Sequence, residues 1–262
     1  MKTSSGESVH DLRVSVRKMI TLLEFVVSLN PSDADEISKL RKKFKKIVKL
    51  LGPLRDVQVS QSEFHAMGAH RKFRQFEKSL SKEERAELKC VLQKLTKRRK
   101  AKLHEGVQDC IQRSHDLRCP VAEGEIPQMT QKAVQKRAGR MESARKQFRP
   151  DSGASLHKMR IALKKLRYSL ESARELFGVT LAGGKRSIET HQTRMGKLRD
   201  LQLLQIRLKS WAGELKPDDR ESIRHVLLQM DGKISKLLAA VQNSHRQLAT
   251  LPDIIGKKIA QQ

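Results

Sequence analysis

Aromatic residues are scarce: 3% of the chain, with one Trp and one Tyr. Proteins that grip single-stranded nucleic acid usually stack its bases on aromatic side chains. The scarcity therefore shifts weight toward a ligand that carries charge without bases. Cysteines number three, Cys90, Cys110 and Cys119, an odd count without metal-type pairing, which reads as reduced thiols of a cytosolic protein. No apolar run approaches membrane-spanning length, and the polar N-terminal stretch holds no signal-peptide core. The expectation is a cytoplasmic protein with no membrane insertion. Gly-rich phosphate loops, His-Glu-x-x-His and Cys-x-x-Cys are all missing. Acids are few beside bases: Asp+Glu 29 against Lys+Arg 55, a net charge of +26 over 262 residues. Such an excess points to a polyanionic partner. No stretch shows convincing strand alternation, so an all-α fold is expected, as one large domain or two tightly joined halves.

What is present centres on residues 156–171. Leu156, Met159, Leu163, Leu166 and Leu170 recur at three and four residues, the apolar stripe of an amphipathic helix. His157, Arg160, Lys164 and Arg167 recur at the same spacing. With about 100° per residue, this cationic series lies beside the apolar stripe rather than opposite it. Cations bordering a core stripe point into a cleft between helices, whereas a solvated basic face sits across from the core.

The design occurs twice. His10-Asp11-Leu12-Arg13-Val14 matches His157-Lys158-Met159-Arg160-Ile161, with Arg17 and Lys18 aligned to Lys164 and Lys165. Leu51-Gly52-Pro53-Leu54-Arg55-Asp56 matches Met195-Gly196-Lys197-Leu198-Arg199-Asp200. The offsets are 147 and 144 residues. Two motifs in one order at nearly one offset indicate an internal duplication, at a period far too long for a solenoid.

These four motifs resemble the CHAD domain family (conserved histidine α-helical domain), and the resemblance spans nearly the whole chain. It implies two pseudo-symmetric four-helix bundles facing a basic central cavity that binds inorganic polyphosphate. The halves are placed at 1–127 and 128–262. Carried onto this sequence, the site comprises His10, Arg13, Arg17, Lys18 and Arg55 from the first half. From the second it comprises His157, Arg160, Lys164, Lys165, Arg167, Arg194, Lys197 and Arg199. Ile20 stands where many members carry a further Arg, as Arg167 does in the second half, and Met195 replaces a Leu.

Along the chain, a first helix capped near Ser8 is expected to reach Leu29, and Asn30-Pro31-Ser32-Asp33 to form a turn. A second helix turns Ile37, Leu40, Phe44, Ile47 and Leu51 inward, with Arg41, Lys45 and Lys49 along its flank. These three cations read either as a solvated face or, through the resemblance, as part of the cavity. Gly52-Pro53 starts a third helix, since Pro is tolerated in a first turn; it is expected to end near Leu80. Ser81-x-x-Glu84 is a capping-box pattern for a long fourth helix to Arg113. Within it, Lys97-Arg98-Arg99-Lys100 reads as a solvated face. His115-Asp116-Leu117-Arg118 copies the first motif, but Cys119-Pro120 follows at once, so no basic helix continues from it. The linker between halves is placed at 121–127. Residues 129–148 form another basic helix with Lys136, Arg137, Arg140 and Arg145. The helix built on residues 156–171 ends at Phe177-Gly178. After Gly183-Gly184 comes a shorter helix with His191, which reads as a core histidine. Lys216-Pro217 opens the last helix, and a loose tail follows Pro252.

The chemistry is cationic. Guanidinium groups offer a planar fork to phosphate oxygens, and ammonium groups a compact charge. The repeated motifs hold almost no free acids to carry metals for phosphoryl transfer. Glu24 and Glu171 read as partners of bases on their own helices. A non-catalytic polyphosphate-binding protein needing no cofactor is the leading expectation, with association to polyphosphate granules as its refinement. A general nucleic-acid binder and a polyphosphate-processing enzyme are the rivals. His10 and His157 have two roles open, as neutral groups positioning an Arg or as imidazolium groups on phosphate.

Overall fold

Three- and four-residue apolar spacing along the chain becomes helix after helix. In the computed structural model, the described residues are 4–29, 34–68, 73–116, 125–150, 152–177, 185–215 and 217–249. They form α1 (Ser4–Leu29), α2 (Ala34–Leu50), α3 (Gly52–Ala66), α4 (Arg74–Lys94) and α5 (Lys97–Asp116). Then follow α6 (Glu125–Lys146), α7 (Gly153–Phe177), α8 (Lys185–Gly213), α9 (Pro217–His245) and a 3-10 turn at Arg246–Leu248. No strand occurs among the described residues. None of the described helices is long and apolar enough to cross a membrane. The turn at 30–33, the 121–124 part of the linker, Gly178, Gly183-Gly184, Lys216 and the tail lie outside the described residues.

Several boundaries differ from the sequence expectation. α1 starts before Ser8. Ser81 sits inside α4, because the buried row Phe76, Leu80 and Val91 continues past it and holds a single helix against its neighbours. The break falls at Leu95-Thr96, and Thr96 caps α5: its Oγ1 accepts a hydrogen bond from the Arg99 N–H at 3.4 Å. Instead of being short, α8 runs for 29 residues. The repeat explains this. Pro53 lacks an N–H and interrupts the first copy between α2 and α3. Lys197 holds the same place in the second copy, so the helix runs straight through Arg199 and Asp200.

The two sequence halves share a core. α1 packs with α2, α3 with α4, α6 with α7 and α8 with α9. Across the halves, α1 packs on α6 and α7, and α3 packs on α8. One apolar cluster unites Val57, Phe64, Phe73 and Phe76 of the first half with Leu204, Leu208, Ile223 and Met230 of the second. A second joins Met141, Met159, Leu163, Leu166, Ile188 and Val241 entirely within the second half. Every apolar residue of the α7 stripe from Leu156 to Leu166 is thus buried, as its spacing predicts. His191 is wholly buried, with Nδ1 2.7 Å from Ser244 Oγ. Burial beside His245 and Arg194 pushes its pKa down to about 4, so it is a neutral core group.

Leu163 has no exposed surface, whereas Leu12 is 39% exposed. Leu163→Ala is expected to cost ~2–5 kcal/mol of unfolding free energy through lost transfer energy and a residual cavity. Leu12→Ala should cost well under half of that. Denaturant midpoints compare the two directly.

Candidate functional site

The packing of α1 against α7 brings the two His-x-x-Arg helices together. On α1, Arg13 and Arg17 lie one turn apart; on α7, Arg160, Lys164 and Arg167 do likewise. These five cations meet around Lys164. Burial, and then Arg160, Arg17, Arg167 and Arg13, hold its ammonium pKa down to about 7. Burial and the neighbouring Arg17 lower Arg13 to about 10, with Asp56 opposing that shift. Arg160 is also lowered, chiefly by burial, while Asp200 favours its charge. Arg160 Nε is buried and donates no hydrogen bond within the protein. A set of like charges held in a partly desolvated place is costly until an anion arrives.

Local structure explains how the cations are held. Arg13 Nη1 donates to the Val48 carbonyl at 3.1 Å, in the last turn of α2, where cations complement unpaired carbonyls. That helix end exists because Gly52-Pro53 breaks the chain there. Arg55 Nη1 reaches the Gly6 carbonyl at 3.4 Å. Asp56 acts electrostatically on Arg13 and Arg160, and Asp200 on Arg160. Burial raises the Asp200 pKa, against the pull of Arg160. The Arg-Asp motif thus supplies counter-charges behind the cations. His10 is exposed at the edge. Partial burial, then Arg55, lowers its pKa against the pull of Asp11, with Lys164 and Arg17 adding to the lowering. His157 is exposed too; with Arg160, Arg199 and Gln202 it lines a cavity of about 270 Å³.

A second basic cavity, of about 390 Å³, lies between α1, α2, α6 and α7. Arg41, Lys45 and Lys165 line it, together with Lys136, Arg137 and Arg140 of α6. The α6 cations are not among the site residues that the sequence motifs nominate. Their signal is nonetheless present: they flank the Val134, Ala138 and Met141 stripe as the α7 cations flank theirs. Glu24, with 9% of its side chain exposed, sits among them. It pairs with Arg137, with Arg41 at 3.6 Å and with Lys165 at 3.8 Å. It therefore ties α1 to three other helices. Glu171 has its own-helix partner, Arg167 at 3.2 Å, and also meets Lys18 at 4.0 Å.

Three of the residues nominated by sequence lie elsewhere. Lys49 lines a separate groove between α2, α4 and α5. Arg194 donates to the Ala240 carbonyl on α9 at 3.4 Å. Lys197 is held by Glu63, with Nζ 2.7 Å and 2.5 Å from its two carboxylate oxygens. Lys18 borders the cluster but pairs with Glu175 at 3.4 Å.

Glu24→Gln leaves partly buried cations without their counter-charge, at a cost of ~1–3 kcal/mol. The ligand-free variant is expected to melt below the parent. Added tripolyphosphate should raise its Tm more than the parent's, by replacing the lost carboxylate. Parallel melts of both proteins with and without the anion check this.

The sequence model of the CHAD domain matches residues 2–209. The crystal structure of the CHAD domain from the plant Ricinus communis superposes with a TM-score of 0.72 at 19% identity, covering 92% of this chain and 82% of that one. At that identity the likeness shows the fold. No curated protein matches the chain. A duplicated cationic helix motif, an all-α fold and a match over more than three quarters of the sequence lead to one conclusion: the chain belongs to the CHAD domain family.

Proposed function

We propose that this protein binds inorganic polyphosphate without catalysis, in the cationic cleft where α1 meets α7. The observation that carries the reading is the meeting of Arg13 and Arg17 with Arg160, Lys164 and Arg167 around one point. A thin chain with one charge per phosphate suits such a place. Each guanidinium can grip two oxygens, and the polymer cancels a repulsion that the empty site must tolerate. The second basic cavity, on the same α1–α7 seam, offers the chain a continuation. Duplex DNA is too broad for these narrow cavities, and the scarcity of aromatic residues gives unpaired bases little to stack on. The carboxylates near the cluster, Asp56 and Asp200, serve as counter-charges to arginines, which supports binding over phosphoryl transfer. A cytoplasmic setting with polyphosphate granules follows from the same reading.

The test is one titration series at near-physiological salt with long-chain polyphosphate, orthophosphate, single-stranded DNA and duplex DNA. Polyphosphate should bind tightest and orthophosphate weakest. Tighter binding of either DNA reverses the reading, and metal-dependent shortening of the polymer revives the enzyme.

A further inference from the structure

Away from the α1–α7 seam, α2, α4 and α5 enclose a groove of about 720 Å³ that the polyphosphate reading does not use. We propose that this groove docks an acidic amphipathic helix of a partner protein, independently of whether polyphosphate binds elsewhere.

The shape comes from the way α5 leaves α2. The two helices approach closely at Gly106, where an added Cβ would lie 3.1 Å from Leu40 Cδ1. Leu103, Val107 and Cys110 pack there against the α2 core residues. Toward the start of α5 a groove opens between α2, α4 and α5. Its lining is apolar: Ile47 and Leu50 of α2, Pro53, Leu95 and Leu103. Its margins are basic. Lys43, Lys46 and Lys49 follow at three-residue steps along α2, and Lys94, Arg99 and Lys102 come from the α4–α5 side. Among the described residues, Glu87 is the single acid in the lining.

That pattern specifies the ligand. An apolar floor offers nothing to a fully hydrated polyphosphate or nucleic-acid backbone. A lipid concentrates its charge at one end, whereas here cations come from both sides. A helix with an apolar face flanked by Asp and Glu meets all three surfaces, the usual helix-in-groove arrangement. Ten residues of helix extend about 15 Å, a length that three-residue cation steps along α2 can accompany. α5 itself adds a further reason. Its first turn, Lys97-Arg98-Arg99-Lys100, contains no acid. Cations at the positive end of a helix dipole are unfavourable, and nearby carboxylates relieve them.

The probe is a fluorescent 18-residue helical peptide with Leu on one face and Glu on both flanks, set against a scrambled peptide of the same composition. The full chain should bind the patterned peptide at least tenfold tighter. Lys46→Glu with Lys102→Glu should weaken it at least tenfold, whereas Lys82→Glu with Lys89→Glu, of equal charge change, should weaken it less than threefold. Leu95→Gln should also weaken it, and saturating polyphosphate should leave the groove occupied. Circular-dichroism melts confirm that each variant folds. Equal binding of the two peptides, or equal losses in the two charge pairs, overturns the proposal. So does peptide binding that polyphosphate abolishes, or anionic phosphatidylglycerol vesicles that outcompete the peptide and depend on the same lysines.

Discussion

Replacing Arg13, Arg17, Arg160 and Lys164 with Gln in one variant is expected to weaken polyphosphate binding by at least ~100-fold, taking a charge-assisted hydrogen bond at ~1.5–3 kcal/mol and tenfold as ~1.4 kcal/mol. Removing just two such hydrogen bonds without compensation reaches that figure. The control removes four exposed lysines elsewhere, Lys82, Lys89, Lys209 and Lys233. Both variants lose the same formal charge, so a long-range field alone weakens them equally. A convergent site predicts a fall by orders of magnitude in the first variant only. Stability should move the other way. In the ligand-free protein, Lys164 is held against four guanidinium groups. Removing that repulsion should leave the first variant at least as stable as the parent, while the rise in Tm on adding polyphosphate disappears. Equal affinity losses in the two folded variants would mean that a diffuse basic surface does the binding.

The second large effect is in pH. Lys164 titrates at about 7 in the empty fold, below its ordinary 10.5, because it is buried and faces Arg160, Arg17, Arg167 and Arg13. Between those two values the unfolded chain holds a proton that the folded, ligand-free chain lacks. Stability therefore rises with pH across that window and is lowest below about 7, where folding must accept the charged ammonium. Binding has the opposite sign. Polyphosphate favours the ammonium form, so above pH 7 the complex takes up a proton that the free protein did not carry. Affinity should fall by up to about tenfold per pH unit, approaching ~100-fold between pH 7 and 9. His10, whose pKa lies below its usual 6.5, titrates on the acid side of that window, and Arg13, lowered to about 10, stays charged through most of it. Titrations from pH 6 to 9 at fixed ionic strength give the slope, and binding enthalpies in two buffers count the proton. Lys164→Arg should flatten the profile. An unchanged slope in that variant would assign the proton elsewhere.

Much of this site is legible in sequence because a cation beside an apolar stripe has few places to go. The stripe from Leu156 to Leu166 must face the core, so Arg160 and Lys164 must lie at its border. The duplication then implies that Arg13 and Arg17 do the same. What periodicity cannot supply is which helices meet. Glu24 looks like a partner for its own helix, and only tertiary packing brings Arg41, Arg137 and Lys165 to it. The α6 cations carry the same signal as those of α7 but lack a repeated motif to draw attention to it. Lys49 lies four residues beyond Lys45 on α2, yet it lines the outer groove while Lys45 lines the basic cavity. Matching motifs also conceal a difference of backbone. Pro53 ends one helix and gives Arg13 a free carbonyl terminus to grip, while Lys197 continues another and is itself tied to Glu63. Ser81 shows that a cap pattern yields when an apolar row runs through it. Thr96, a single threonine before four cations, does the capping without the usual acid three residues on.

The most direct test of the central claim is a crystal structure of the protein with long-chain polyphosphate bound. One continuous chain should lie along the α1–α7 seam, with phosphate oxygens within ~3.2 Å of Arg13 or Arg17 on one side and of Arg160 or Lys164 on the other. A polymer that touches the cations of one half alone, or that runs across the exposed lysines and never enters the seam, would contradict the account.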